Sequence, residues 1–207
     1  VASDAKVPTL RGFDRSVTLA EAENFLSELG SEDGMMIKAI AGGGGRGTGV
    51  VQTRDDVESV YRRCQSEAKT AFGNSEVYVE EYLSNARHIE VQIVGDKHGT
   101  IRHLGERECS VQRRYQKVIE VAPAPGLPDD ARKNVISAAL RLAKKVGYSS
   151  LGTFEFLVDT STESSETRFV FLEANARLQV EHTITEEVTG IDLVRAQIQI
   201  ADGVSLD

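Results

Sequence analysis

The sequence predicts an α+β fold in which strands and helices mix without a strict strand–helix–strand rhythm. Three observations carry that reading. Short segments alternate with period two, as in Ile89, Val91 and Ile93 around Glu90 and Gln92. Longer segments repeat apolar residues at helical spacing, as in Val57, Val60, Tyr61, Cys64 and Ala68. No internal repeat or low-complexity domain organises the rest.

Taken in order, Thr18 opens a helix with Leu19, Ala22, Phe25 and Leu26 on one face, and Glu21 completes a capping box. Gly30 to Gly34 end it, and Met35 to Ala39 reads as a short buried strand. After a glycine-rich loop, Val50-Val51 resumes a strand. Thr53 is placed to cap the next helix, which runs to about Phe72 with Asp55 and Asp56 at its positive end. Val77 to Tyr82, Ile89 to Ile93 and Thr100 to Leu104 read as strands, the last two joined by a turn from Gly95 to Gly99. Pro128 opens a helix whose stripe is Ala131, Val135, Ala139, Leu142 and Val146. Strands near Thr153–Val158 and Arg168–Glu173 flank a polar link, residues 160–167, expected to be a solvated hairpin loop. Ile191, Val194 and Ile198 mark a last helix.

The bulk numbers narrow the function classes. The 207 residues are 40% hydrophobic and 27% charged, an ordinary mix able to bury a core. A net charge of -8 excludes nucleic acid as an electrostatic partner of the whole chain, although Arg113, Arg114 and Lys117 cluster locally. No apolar run approaches the roughly 20 residues of a membrane span. Val1 to Asp14 reads as a polar stretch and not as a secretory leader. Cys64 and Cys109 suggest reduced thiols, with neither a disulfide framework nor a zinc site. The expected compartment is the cytoplasm, with the mitochondrion as its alternative.

Three motifs carry chemistry. In Lys38-Ala39-Ile40-Ala41-Gly42-Gly43-Gly44-Gly45-Arg46-Gly47, a strand delivers a lysine and four glycines let backbone N–H groups approach an anion. The lysine precedes the glycines, so this is not a Walker A loop. In Glu106 to Lys117, three cations within five residues, mixed with Gln112 and Gln116, suit carbonate or phosphate oxygens. In Glu173 to His182, the residues Glu173, Asn175, Arg177, Gln179 and Glu181 share one parity, and the small apolar residues between them share the other. The polar set is expected to face a cleft. Glu155 stands between Phe154 and Phe156 on the preceding strand and is expected to pair across the hairpin near Glu173. Adjacent carboxylates need a neutralising partner, and a hard cation such as Mg2+ supplies it.

With these motifs the chain resembles the biotin carboxylase component of biotin-dependent carboxylases, of the ATP-grasp fold. The likeness covers nearly all of the chain and is weakest in its first thirty or so residues. It implies an ATP-grasp lid subdomain with the glycine-rich loop over residues 1–82. Residues 83–207 would then be the central catalytic subdomain with its antiparallel sheet, incomplete at the C-terminal side. By the same resemblance Lys38, Gly43, Gly44 and Gly45 meet ATP phosphates, Glu80 and Leu83 the adenine, and His88 the ribose. Gln112 and Tyr115 also belong to the ATP-binding set. Glu155 and Glu173, with Asn175 beside them, hold Mg2+ or Mn2+. Lys117, Arg177, Gln179 and Val180 form the bicarbonate site, and Glu181 is the general base.

The implied reaction activates bicarbonate with ATP to carboxyphosphate, for transfer to biotin on a carrier domain or protein. A carboxyltransferase would stand in the same complex or chain, and some family members form homodimers. Two departures from the family pattern are Tyr115, where histidine is common, and Thr48-Gly49, where Met-Arg is usual. Another ATP-grasp ligase, such as the carbamoyl-phosphate synthetase large subunit, and a non-catalytic nucleotide-binding scaffold are the competing readings.

Overall fold

The computed structural model describes residues 1–30, 34–42, 45–159 and 167–206. These residues form two units. The larger comprises Val1–Thr9, Asn85–Gln112 and Lys117–Asp207, and the smaller Leu10–Ser84 and Arg113–Gln116. Residues 1–9 therefore fall in the larger unit. The backbone N–H of Phe171 donates to Pro8 O at 2.8 Å, and Thr9 bridges Phe171.

In the smaller unit, α1 spans Leu19–Leu29 and α2 Val57–Phe72. Strands β1 (Met35–Ala39), β2 (Thr48–Val51) and β3 (Val77–Glu81) form an antiparallel sheet in the order β2-β1-β3. The capping box at Thr18 is present in full. Thr53 behaves differently from the sequence reading. A 3-10 turn over Arg54–Asp56 precedes α2, and the Thr53 hydroxyl donates to Asp56 Oδ2 instead of capping the backbone. Phe25, Ile37, Val57, Tyr61, Cys64 and Val79 meet in one apolar core. Burial pushes the Cys64 thiol up to about 11.

The larger unit is built on a five-stranded sheet. Its strands are β4 (Ala86–Gly95), β5 (Ile101–Arg113), β6 (Gln116–Val121), β7 (Ser150–Asp159) and β8 (Phe169–Asn175), in the order β6-β5-β4-β7-β8. β5 runs well past Leu104, so the charged motif from Glu106 onward lies within a strand, and β6 follows it. Arg114 and Tyr115 join β5 to β6 as a two-residue turn with φ of 52° and 62°. A two-residue hairpin turn of type I′ requires positive φ at both central residues.

Helix α3 (Asp129–Lys145) buries Ala131, Val135, Ala138, Ala139 and Leu142 against Ile89, Val91, Ile93, Phe154 and Phe156. Val146 lies just past its end and is exposed. These apolar contacts use one face of β4 and β7. The other face carries Glu90, Gln92, Thr153 and Glu155, all buried. A sheet normally buries two faces only when a further layer covers each. The second layer includes α4 (His182–Thr189), a helix the sequence reading did not contain. Only Thr185 of α4 is buried, so no apolar stripe announced it.

Helix α5 (Leu193–Ala201) buries Leu193 and Ile200, seven residues apart on one face. Ile191, Val194 and Ile198 are exposed instead. The expected solvated link falls largely at residues 160–166, outside the described residues. No described helix is long and apolar enough to cross a membrane.

The cap of α1 gives a pH test. Glu21 accepts hydrogen bonds from Arg15 and from the backbone and hydroxyl of Thr18, which hold its carboxyl at about 2. A depressed carboxyl stabilises the fold above its unfolded value and loses that contribution as pH falls through its folded value. We expect Glu21→Gln to lower Tm by a constant amount above about pH 5. The difference should close as pH falls from 4.5 toward 2. A difference that does not change with pH would remove the assignment.

Candidate active site

The site is assembled from a row of side chains running across the sheet. Register pairs Arg107 on β5 with Glu90 on β4, Glu90 with Glu155 on β7, and Glu155 with Glu173 on β8. Three carboxylates thus stand in adjacent strands, where like charges oppose each other. Glu90 is 0% exposed and Glu155 3%, so water does little to screen them. The protein supplies the compensation.

Arg107 is itself fully buried and binds Glu90 Oε1 through Nε. Lys117 on β6 contacts Glu90 Oε2 and lies 3.1 Å from Glu155 Oε1 and 3.2 Å from Glu181 Oε1. His88 Nε2 is 2.6 Å from Glu155 Oε2, and its Nδ1 is 2.7 Å from Gln112 Nε2. The amide of Asn175 donates to both Glu155 Oε1 at 2.7 Å and Glu173 Oε1 at 3.0 Å. Gln179 Nε2 donates to Glu155 Oε1 at 3.2 Å.

These contacts set the charge states. Burial pushes the Glu155 carboxyl upward, but His88, Lys117 and Gln179 outweigh it and hold the group at about 2. Burial pulls the Lys117 ammonium down, and Glu90 and Glu155 more than reverse it, raising it above the ordinary lysine range. Burial, with the nearby Glu90 charge, pushes the Cys109 thiol far up, so it stands as an inert thiol in the wall.

The structure thus brings His88, Gln112, Lys117, Glu155, Glu173, Asn175, Gln179 and Glu181 into one connected cluster. Two sequence-predicted members of the larger unit stand apart. β8 ends at Asn175, so the period-two pattern from Glu173 to Glu181 does not continue as a strand. Beyond it Arg177 is exposed, and its one described hydrogen bond is to Leu178 O at 3.3 Å. Val180 is 88% exposed, and Ala174 and Ala176 are also exposed, so of the apolar parity only Leu178 packs, against the cluster of Val94, Leu151, Leu193 and Ile200. Glu181 is positioned by a helix: it is the residue at which α4 starts.

In the smaller unit, Lys38 forms an ion pair with Glu80, its side chain 19% and that of Glu80 16% exposed. Leu83 is buried. Gly45 has φ of 75°, and a Cβ there would stand 2.8 Å from Tyr115 Cβ, so only glycine fits against the tyrosine. Tyr115 is half exposed. Gly43 and Gly44 lie outside the described residues.

Sequence reasoning missed Glu90, Arg107 and Thr185. Among the described residues, His88, Glu90 and Glu155 are one group whose ligand atoms lie within 4.8 Å of one another. Both Glu90 oxygens are already held by Arg107 and Lys117, which leaves that carboxylate committed to cations of the chain. Glu155 and Glu173 are joined through an amide nitrogen alone, and their donor chemistry fits a hard oxygen-seeking cation.

Comparison with known proteins decides the family. The whole chain, residues 1–207, matches the family described as carbamoyl-phosphate synthase L chain, ATP binding domain. The chain belongs to that family.

Its relatives are biotin-dependent carboxylases. Pyruvate carboxylase 1 of Caenorhabditis elegans is 51% identical over 207 residues, 100% of this chain and 17% of the worm protein. Pyruvate carboxylase of Staphylococcus aureus is 49% identical over 203 residues, 98% of this chain and 17% of that protein. The chain therefore spans about a sixth of the length of these relatives.

Among solved structures, a biotin carboxylase–beta-gamma-ATP complex from Campylobacter jejuni is 44% identical with a TM-score of 0.92. The match covers 100% of this chain and 45% of that one. The biotin carboxylase domain dimer of the 2-oxoglutarate carboxylase from Hydrogenobacter thermophilus, in complex with MgADP, ADP and bicarbonate, is 41% identical with a TM-score of 0.91. That match covers 99% of this chain and 44% of the other. The fold is the ATP-grasp fold of biotin carboxylase domains, as the sequence motifs led us to expect.

The buried row makes a stability prediction. Glu90→Ala leaves the fully buried Arg107 without a carboxylate, and breaking a buried pair in this way costs about 3–5 kcal/mol. Urea unfolding should show that loss. A loss below about 1 kcal/mol would mean that Arg107 is not held as a buried ion pair.

Proposed function

We propose that this chain is the ATP- and metal-handling segment of a biotin carboxylase, activating bicarbonate for carboxylation of carrier-bound biotin. The observation that carries the reading is the Glu155-centred cluster. One buried carboxylate, kept ionised, is joined through Asn175 to Glu173 and through Lys117 to Glu181. A structural ion-pair network has no need of a second, exposed carboxylate on the same amide. A site that binds a cation beside a base does.

Glu155 and Glu173 would hold Mg2+, with Asn175 orienting both carboxylates. The metal would neutralise phosphate charge during transfer. Lys38, Gly45, Glu80, Leu83, His88, Gln112 and Tyr115 are the residues proposed to meet ATP. In this reading the smaller unit serves as the lid subdomain expected over residues 1–82, less residues 1–9, and the larger unit as the central one expected over residues 83–207. The Lys38–Glu80 pair would then exchange its partner for nucleotide on binding.

Glu181 is the proposed base. It takes the bicarbonate proton, and the freed oxygen attacks the γ-phosphorus of ATP, giving carboxyphosphate and ADP. Lys117 stands 3.2 Å from the Glu181 carboxylate and is placed to hold the anionic oxygens that form beside it. Arg177 is exposed and free to swing, so its proposed bicarbonate contact would form on binding, and that of Val180 likewise. Most of the work in phosphoryl transfer is positioning and charge neutralisation, which such a cluster performs.

The natural partners in this reading are bicarbonate, a biotinylated carrier and a carboxyltransferase, and a homodimer is the proposed assembly.

The test uses the full-length protein. Glu181→Gln should lower bicarbonate-dependent ATP cleavage by about 100-fold or more, the scale of a lost general base. ATP affinity should stay within about twofold of the parent. Parental turnover in that variant would remove Glu181 from the role. The absence of bicarbonate-dependent cleavage in the parent itself would remove the function.

A further inference from the structure

The proposed base stands at the start of a helix that has almost no apolar anchorage. α4 buries only Thr185, and Val188 is 53% exposed. Such a helix needs some other contact to fix its place, because most helical stability in proteins comes from a packed apolar face. The contacts available are polar, one of them from the backbone N–H of Leu193 to Glu186 Oε1 at 2.6 Å. Arg107 Nη1 donates to Thr185 Oγ1 at 2.8 Å and to Gln92 Oε1 at 2.9 Å, while Nη2 donates to Thr153 Oγ1 at 3.3 Å. Its Nε binds Glu90. Four acceptors on β4, β7 and α4 thus meet one planar guanidinium, and arginine offers five donors in such a fixed fork.

The same arginine reaches Glu181 by a second route. Glu90 is shared between Arg107 and Lys117, and Lys117 is the cation beside Glu181. Arg107 therefore fixes the helix that carries the base and, through Glu90, the lysine that faces it. None of the residues proposed to meet ATP, metal or bicarbonate touches it in the described contacts, and Lys117 is joined to it only through Glu90. A fully buried arginine is a costly way to bind a helix that an apolar side chain could hold. Its advantage is direction: hydrogen bonds set an orientation, whereas apolar contacts tolerate sliding.

We propose that Arg107, through Thr185 and Glu90, is the positioning residue that sets helix α4 and Lys117 so that Glu181 points at bicarbonate. The assignment of Glu181 rests on the function proposed above; the mechanical role of Arg107 does not.

The experiment compares Thr185→Val, Thr185→Ser and Arg107→Lys with the parent, all in the full-length protein. Valine keeps the shape of threonine and removes the acceptor, serine keeps the acceptor, and lysine keeps the charge and loses the fork. Two readouts are taken. In hydrogen exchange, the backbone amides of residues 183–186 should exchange faster in T185V and R107K, and at the parental rate in T185S. In steady-state kinetics, kcat for bicarbonate-dependent ATP cleavage should fall about 10- to 100-fold in T185V and R107K, the cost typical of residues that orient a ligating or reacting group. KM for MgATP should stay within about twofold, and T185S should recover most of kcat.

Parental exchange in T185V and R107K overturns the proposal. So does a T185S variant as impaired as T185V, because the loss would then follow packing and not the hydrogen bond. If T185V fails to fold, R107K and T185S still decide by the same comparison. If the parent shows no bicarbonate-dependent cleavage, the proposed function fails, while the exchange rates still decide whether Arg107 positions α4.

Discussion

Everything in the larger unit answers to one constraint: three carboxylates stand in register on neighbouring strands, two of them sealed from water. Glu90, Glu155 and Glu173 occupy adjacent places in the β4-β7-β8 ladder. Left alone, such a row would protonate or disrupt the sheet. Arg107 and Lys117 supply two positive charges, and His88, Asn175 and Gln179 supply donors. The compensation is strongest at Glu90 and thinnest at Glu173, which receives one amide hydrogen bond and is exposed. Negative charge in excess therefore lies at the β8 end of the row, where a ligand can reach it.

That gradient explains the division of labour across the sheet. The Glu90 end is permanent structure, with both oxygens bound to cations of the chain. Cys109 beside it is an unreactive wall. Glu155 is buried and organised, its carboxyl held at about 2 by its partners, and the row opens to water only at Glu173. Preorganised polar groups of this kind need little rearrangement when charge develops nearby. The apolar core on the opposite face, where α3 covers Ile89, Val91, Ile93 and Phe156, keeps the strands rigid enough to hold such distances.

Much of this was legible in the sequence, for definable reasons. Glu155 between two phenylalanines could only be a polar residue on a strand whose other face is core, and its pairing with Glu173 followed from the hairpin. Helices α2 and α3 have apolar residues at unbroken helical spacing, so their buried faces were plain. The pattern from Glu173 to Glu181 misled because polarity continued to alternate after the backbone had left the strand at Asn175. Alternation reports on side-chain chemistry, and only hydrogen bonding to β7 shows where the strand ends. α4 escaped because its one buried residue is a threonine. α5 was placed on the wrong face because Leu193 and Ile200, two turns apart, form a sparser signal than Ile191, Val194 and Ile198. Glu90 and Arg107 looked like the solvated positions of alternating strands, and only register sets them side by side.

The most direct test of the account is calorimetric titration of the full-length protein with ATP, with and without Mg2+, in the parent and in Glu155→Gln. The account predicts that Mg2+ tightens nucleotide binding in the parent and has little effect in the variant, whose fold is retained. Equal enhancement by Mg2+ in both proteins would contradict it, because the carboxylate at the centre of the row would then have no part in holding the metal.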